Sequence, residues 1–162
     1  MEIIKSSTTA ISVELEEVER NAIIYILFSI QIGAAIDQRI LFRKQRHAVF
    51  EHGLAADKLI EIIDPGELER RSRKAKFRKE ARERGISVSR KEINSNPEFN
   101  SQGAKVIQIS FDDFEKLDRV LELAVTNEEA FDPFFFDIRE VAEIQNDLRS
   151  LMNKAQSKLS SD

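Results

Sequence analysis

Two histidines and several paired acids are the side chains in this chain whose types and spacing could support catalysis or metal binding. His47 and His52 are five residues apart, which on a helix separates them by roughly 140° around the axis. Zinc-binding helices place two histidines four residues apart, on one face. We therefore interpret both as structural histidines and predict no metal site.

Acidic pairs are the other candidates for chemistry. Three of them lie near predicted helix starts: Glu16 with Glu17, Asp112 with Asp113, and Glu128 with Glu129. Carboxylates at a helix N-terminus are favoured by the macrodipole, which explains these pairs without catalysis. The chain has no cysteine, no Gly-x-Ser-x-Gly and no glycine-rich phosphate loop. We expect a non-enzymatic protein without a cofactor, and a metal-dependent nuclease that uses clustered carboxylates is a third hypothesis.

The distribution of charge is uneven although the net charge is only −4. Residues 66–91 contain 11 Lys and Arg against four acids, a local charge of +7, whereas residues 110–147 contain 12 acids against three bases. A basic segment of this density can neutralise several phosphates, and arginine, which outnumbers lysine in it, is the better phosphate ligand. We predict a nucleic-acid-binding surface on this segment, formed by Arg70, Arg71, Arg73, Lys74, Arg78, Arg82 and Arg90.

Residues 77–93 partly resemble a helix-turn-helix motif. Ala81 stands at the position of the small residue, Gly85 at the turn, Ile86 at the buried aliphatic and Ser87 at the cap. The pattern departs at Lys91, where the second helix of such motifs has an aliphatic residue. The resemblance adds to the nucleic-acid hypothesis for this segment.

The acidic half supports a different hypothesis. An inhibitor or immunity-type protein would use an acidic face to cover a basic surface of its target, and charge steering would speed that association. The residues predicted for this face are Asp112, Asp113, Glu115, Asp118, Glu122 and Phe135. Phe135 belongs to a Phe-rich segment over residues 131–137. A further alternative is structural: the basic segment docks on the acidic half of its own molecule or of a second copy.

The elements that must position these residues follow from local patterns. Residues 1–14 alternate in hydrophobicity, which predicts a strand or hairpin with a turn over residues 6–9. Its predicted inward positions are Ile3, Ile11 and Val13. A long helix should follow from about Leu15.

Residues 22–36 are the most apolar stretch of the chain. As a helix they span about 22 Å, less than the roughly 30 Å core of a bilayer, so they are expected at the centre of the protein core. An amphipathic stretch over residues 37–50 and a short helix over residues 54–63 follow.

Asp64, Pro65 and Glu67 form a helix start signal, in which Asp64 is the predicted cap and Pro65 the first helical residue. This helix should end at Gly85, and its low apolar content indicates that it lies on the surface or projects from it. A strand over residues 105–110 then leads into a helix capped by Ser110 that ends near Thr126.

The last predicted element is an amphipathic helix over residues 137–159. Its apolar residues recur at steps of three and four: Val141, Ile144, Leu148, Leu151 and Ala155. We expect one domain over residues 1–162, with an α+β fold that is predominantly helical and has about six helices around the central apolar helix and a small sheet. The absence of cysteine and of a secretory signal favours the cytoplasm.

One internal repeat accompanies this pattern. Residues 11–20 and 107–116 have like residue types at eight of ten positions, and both predict a strand, a cap and a helix. A duplicated unit would place the two strands side by side in one sheet, with both helices on one face. Convergence of two similar strand-to-helix connections is the alternative.

Overall fold

Three antiparallel strands and six helices make up the described part of the chain. The computed structural model describes residues 2–6, 9–32, 55–128 and 137–159. The strands are β1 (Glu2–Ser6), β2 (Ala10–Leu15) and β3 (Lys105–Ser110). The helices are α1 (Glu17–Ile32), α2 (residues 55–63), α3 (Glu67–Glu83), α4 (Arg90–Ser95), α5 (Phe111–Thr126) and α6 (Ile138–Leu159). The predicted α+β class with mostly helical content is confirmed.

The sheet has the order β1-β2-β3. β1 and β2 form the predicted N-terminal hairpin, with Ile3 opposite Val13, and β2 pairs antiparallel with β3 so that Ile11 faces Ile109. The alternating side chains of β2 and β3 divide into a buried apolar face and an exposed face. Burial of one face fixes the register, because a slip by one residue would turn every apolar side chain outwards.

The two segments of the internal repeat lie side by side, as a duplicated unit would require. β2 is the neighbour of β3, and Ser12 pairs with Gln108, the residue that the repeat aligns with it. The helices that follow these strands, α1 and α5, contact each other and pack on the buried face of the sheet. The arrangement is therefore confirmed, while duplication as its origin stays a prediction.

α1 forms the centre of the core, as its apolar sequence predicts. Ile23, Ile26 and Leu27 are buried, and the hydroxyl of Ser29 donates to the carbonyl of Tyr25, which satisfies a polar group within the helix. α1 contacts both α5 and α6. In the ranges described, no helix combines the length and the apolar content that crossing a membrane would require.

α5 and α6 complete the layer that covers the sheet. Ser110 caps α5 as predicted, because its hydroxyl accepts a hydrogen bond of 3.1 Å from the backbone of Asp113. Four of the five predicted apolar positions of α6 are buried, Leu151 is half-buried, and Met152 joins the core beside it. The predicted stretch 37–50, both histidines and the Phe-rich segment with Phe135 lie outside the described residues.

Candidate nucleic-acid interface

The start of α3 differs from its prediction. Gly66 precedes the helix with a φ of 78°, a left-handed conformation that suits glycine, and no side chain of the predicted cap bonds to the helix. The carboxylate of Glu61, on α2, instead accepts hydrogen bonds from the backbone of Gly66 at 2.8 Å and of Leu68 at 3.2 Å. Asp64 as cap and Pro65 as first helical residue are therefore wrong, because Asp64 is engaged elsewhere.

Asp64 is the centre of a buried cluster of charges. Its carboxylate lies 2.7 Å from the Nη2 atom of Arg70, 2.7 Å from the Nζ atom of Lys105 and 3.4 Å from the Nε atom of Arg20. The side chain of Arg20 is 0% exposed and that of Asp64 is 4% exposed. Arg20 also donates to the carbonyl of Gly103 at 2.7 Å. The cluster joins α1, α3 and β3 at one point.

The charges around Asp64 decide its ionisation. Burial raises its pKa, but hydrogen bonds and attraction from Lys105 and Arg70 outweigh burial and hold the pKa below the ordinary value of 3.8. Asp64 is therefore ionised at neutral pH. A carboxylate in this state compensates the buried guanidinium of Arg20.

Three residues of the predicted interface anchor α3 to the body of the protein. Arg70 pairs with Asp64 and its side chain is 12% exposed. Arg71 bonds Glu67 at 2.7 Å and lies 3.3 Å from the ring centroid of Phe28, a cation–π contact. Lys74 donates to Asn100. Burial lowers the pKa of Lys74. The nearby arginines lower it further, whereas Glu67 raises it. These three cations are not a free surface.

α3 and α4 form a helical hairpin, called the α3–α4 hairpin below. Gly85 has a φ of 69°, and its N–H donates to the carbonyl of Arg82 while that of Ile86 donates to Ala81. This pair of hydrogen bonds is a Schellman motif, which ends α3. Ser89 then starts α4 with a capping box, since its hydroxyl and the Glu92 carboxylate each accept from the other's backbone.

The hairpin has a small apolar cluster of its own. Ala81, Ile93 and Phe99 are buried but do not belong to the main core. The ring of Phe77 lies 5.2 Å from that of Phe99, yet Phe77 is 38% exposed. The second half of α3 rests on this cluster along one side only, and its other sides face solvent. The prediction that this helix lies on the surface is confirmed.

The exposed cations of the basic segment lie on α3 from Arg73 onwards, just after its end and on α4. We call them the cation set: Arg73, Lys76, Arg78, Lys79, Arg82, Arg84 and Lys91. Arg73, Lys76 and Lys79 have acids of the same helix at 3.9–4.0 Å. Within the described ranges the other four members make no ion pair. The side chain of Arg90 lies outside the described part.

The sequence-based set and the cation set share three residues. Arg73, Arg78 and Arg82 belong to both, whereas Lys76, Lys79, Arg84 and Lys91 were not selected from the sequence. The signal that could have found Lys76 and Lys79 is the spacing of Phe77 and Ala81, which marks the inner side of α3. Cations on the other sides of such a helix are expected to face solvent.

A groove runs between α3 and α4. It encloses about 430 Å³ and is lined by Arg78, Ala81, Arg82, Ile86, Val88 and Ile93. Two of its lining residues are unpaired arginines, and the other four are apolar. A second cavity of about 410 Å³ lies at the base of α3, where Asp64, Lys74 and Ser101 are among its lining residues.

The helix-turn-helix resemblance is confirmed only at the turn. Gly85 makes the turn, but Ile86 is 55% exposed instead of buried, and the cap is Ser89 instead of Ser87. α4 has six residues and Lys91 in it is exposed. The turn forms because the local glycine signal is strong, while the packing of the motif's second helix needs an aliphatic residue that Lys91 does not supply.

No family model, no curated protein and no solved structure matches this chain. The chemistry of its surfaces is therefore the basis for a functional proposal.

Four of the six residues predicted for the acidic face have partners within the fold: Asp113, Glu115, Asp118 and Glu122. The carboxylate of Asp118 lies 2.6 Å from Arg149, which also bonds Glu122 at 2.8 Å, and these contacts join α5 to α6. Glu115 pairs with Arg119 on the same helix. Asp112 is exposed, and Phe135 lies outside the described residues. No cluster of three metal-ligating side chains that could hold a metal ion occurs among the residues described.

Asp113, the remaining acid of that face, is buried at the start of α5. Its carboxylate lies 2.6 Å from Lys58 and accepts a hydrogen bond from Ser110 at 2.7 Å. Burial raises the pKa of Asp113, but the hydrogen bonds from Lys58 and Ser110 and the attraction of Lys58 and Lys116 bring it below 3.8. The residue stabilises the fold in its ionised form.

Asp113→Asn is expected to lower the free energy of unfolding at neutral pH by about 1 kcal/mol, because the ion pair with Lys58 is lost. The pKa of Asp113 in the folded state lies below its ordinary value of 3.8. Its contribution to the free energy of unfolding is therefore complete above pH 3.8 and is lost as the pH falls through the folded-state pKa. Urea unfolding of both proteins should therefore show a difference at pH 7 that closes below pH 3.8. A difference that persists unchanged at acid pH would contradict this role of the charge.

Proposed function

We propose that this protein binds nucleic acid through the cation set of the α3–α4 hairpin, as a non-enzymatic binding protein. The observation that carries the proposal is that Arg78, Arg82, Arg84 and Lys91 are exposed and have no ion-pair partner among the described residues. Unpaired, exposed cations are free to neutralise phosphates and to release counterions from them.

The acids on α3 leave this positive surface largely intact. Glu69, Glu80 and Glu83 are exposed and approach Arg73, Lys76 and Lys79 only to 3.9–4.0 Å. Exposed pairs of this kind contribute about 0–1 kcal/mol and are easily exchanged for a phosphate contact. The full cation set is therefore available to a polyanion.

Internal docking of the basic segment on the acidic half receives no support from the ion pairs. The described ion pairs of α3 involve only acids of α3 itself and Asp64. The acids of α5 pair instead with Lys58, Arg149 and bases of their own helix. The inhibitor hypothesis is weakened because Asp113 is buried and because Asp118 and Glu122 pair with Arg149.

Binding should depend steeply on salt. Titration of the full chain with labelled oligonucleotides at about 50 and 200 mM salt should give a log–log slope of about −3 or steeper, because each of the four unpaired cations would release about 0.7–0.9 counterions per phosphate contact. Fluorescence anisotropy measures both affinities. Absence of binding at the lower salt concentration, or a slope near zero, would reject the proposal.

A further inference from the structure

The side chains of α3 form an inner side, which packs on the protein, and three further rows along the helix. With about 100° between successive residues, the inner side is marked by Arg70, Lys74 and Ala81, which are half-buried or buried. The row directly opposite consists of Ser72, Lys76, Lys79 and Glu83. One flank carries Arg78 and Arg82, and the other carries Arg73 together with Glu69 and Glu80. One flank is therefore basic and the other mixed, with a polar row between them.

The dimensions of α3 suit the major groove of B-form DNA. Its 17 residues span about 25 Å, and a helix with side chains is about 10–12 Å across, which matches a groove about 12 Å wide. The basic flank, with Arg78 and Arg82, would face one of the two phosphate backbones that border the groove. α4 has six residues and spans only about 9 Å. Of the two helices of the hairpin, α3 is therefore the one long enough to lie along the major groove.

The groove between α3 and α4 suits one of these backbones. Arg78 and Arg82 provide guanidinium groups for successive phosphates, while Ile86 and Val88 offer an apolar surface for the sugars between them. A groove lined by both guanidinium groups and apolar side chains matches the alternation of phosphate and sugar along a strand.

Single strands and RNA duplexes fit this surface less well. Binding of single strands relies on aromatic side chains that stack with bases. Among the large hydrophobic residues that are exposed in the described ranges, Phe77 is the aromatic one, and its ring already packs on that of Phe99. The major groove of an RNA duplex is too deep and narrow to admit a helix.

We infer that the nucleic acid bound by this protein is duplex DNA, with α3 in the major groove and one phosphate backbone in the groove between α3 and α4. The inference rests on the proposed function and adds the class of nucleic acid and the binding geometry.

Anisotropy titrations of the full chain test the class. The probes are a DNA duplex, an RNA duplex of the same sequence and the single DNA strand, and the DNA duplex should bind about tenfold more tightly than either other probe. Equal affinities, or a preference for RNA or for the single strand, overturn the inference and leave the proposed function standing. Binding to none of the three rejects the proposed function as well.

Methylation by dimethyl sulfate tests the geometry, because it reports guanine N7 in the major groove and adenine N3 in the minor groove. On the DNA duplex the full chain should protect guanine N7 and leave adenine N3 reactive. Protection of adenine N3, or of neither atom, overturns the assignment to the major groove.

Ile86→Asp tests the groove between the helices, with Val106→Asp as its matched control. Both residues are about equally exposed, at 55% and 56%, and Val106 lies on the outer face of the sheet. Ile86→Asp should weaken binding of the DNA duplex about tenfold by repelling a phosphate, whereas Val106→Asp should leave it unchanged. Equal effects of the two variants, or no effect of Ile86→Asp, overturn the placement of a backbone in this groove.

Discussion

Replacing Asp64 with asparagine should lower the free energy of unfolding by about 3–5 kcal/mol, the usual cost of removing one partner from a buried ion pair. Asp64 compensates Arg20, whose side chain is 0% exposed, together with Arg70 and Lys105. Asparagine keeps the shape of the side chain but leaves these cations without a counter-charge. The loss falls on the junction of α1, α3 and β3, so the whole fold is affected.

Asp147→Asn is the matched control, because Asp147 is exposed on α6 and makes no ion pair among the described residues. Urea unfolding followed by circular dichroism should show a lower midpoint for Asp64→Asn and an unchanged one for Asp147→Asn. If the two variants are equally stable, the cluster around Asp64 does not contribute to the fold as proposed here.

Reversing the charge of both Arg78 and Arg82 to glutamate should weaken binding of nucleic acid at low salt by about 100-fold or more. Each arginine would lose a charged hydrogen bond worth about 1.5 kcal/mol, and each glutamate would repel a phosphate. Neither arginine makes an ion pair among the described residues, so the free energy of unfolding should stay close to that of the original protein. The salt slope should also fall by about one for each lost phosphate contact.

Arg139→Glu with Lys154→Glu provides the same change of net charge on α6, at exposed positions without ion pairs in the described ranges. If the cation set is the interface, this pair should weaken binding much less than the reversal on α3. Equal losses from both double variants would mean that binding follows net charge alone and has no defined site.

Elements with strong local signals were predicted well from the sequence. The hairpin of β1 and β2, the strand β3 and the helices α5 and α6 lie close to their predicted bounds. Each is specified by neighbouring residues, such as the Ser110 cap of α5 or the apolar spacing of α6. Gly85 likewise ends α3 where predicted, because the left-handed conformation there favours glycine.

Asp64 shows why the rest could not be predicted. Its neighbours Pro65 and Glu67 form a local capping signal, but its actual partners include Arg20 and Lys105, which are distant in the chain. Glu61 performs the capping role from α2. α4 was not predicted as a separate helix, since its six residues carry little periodicity and depend on the Ser89 cap and on Ile93 packing in the hairpin.

The amino-acid sequence alone determined where charge accumulates and which helix carries it, because charge density and helix boundaries are properties of neighbouring residues. Only the tertiary structure decided which of those cations are available. Arg70, Arg71 and Lys74 are held by Asp64, Glu67, Phe28 and Asn100, whereas Arg78, Arg82 and Arg84 make no ion pair with a described carboxylate. Pairing of charges depends on distances between segments far apart in the chain, and folding sets those distances.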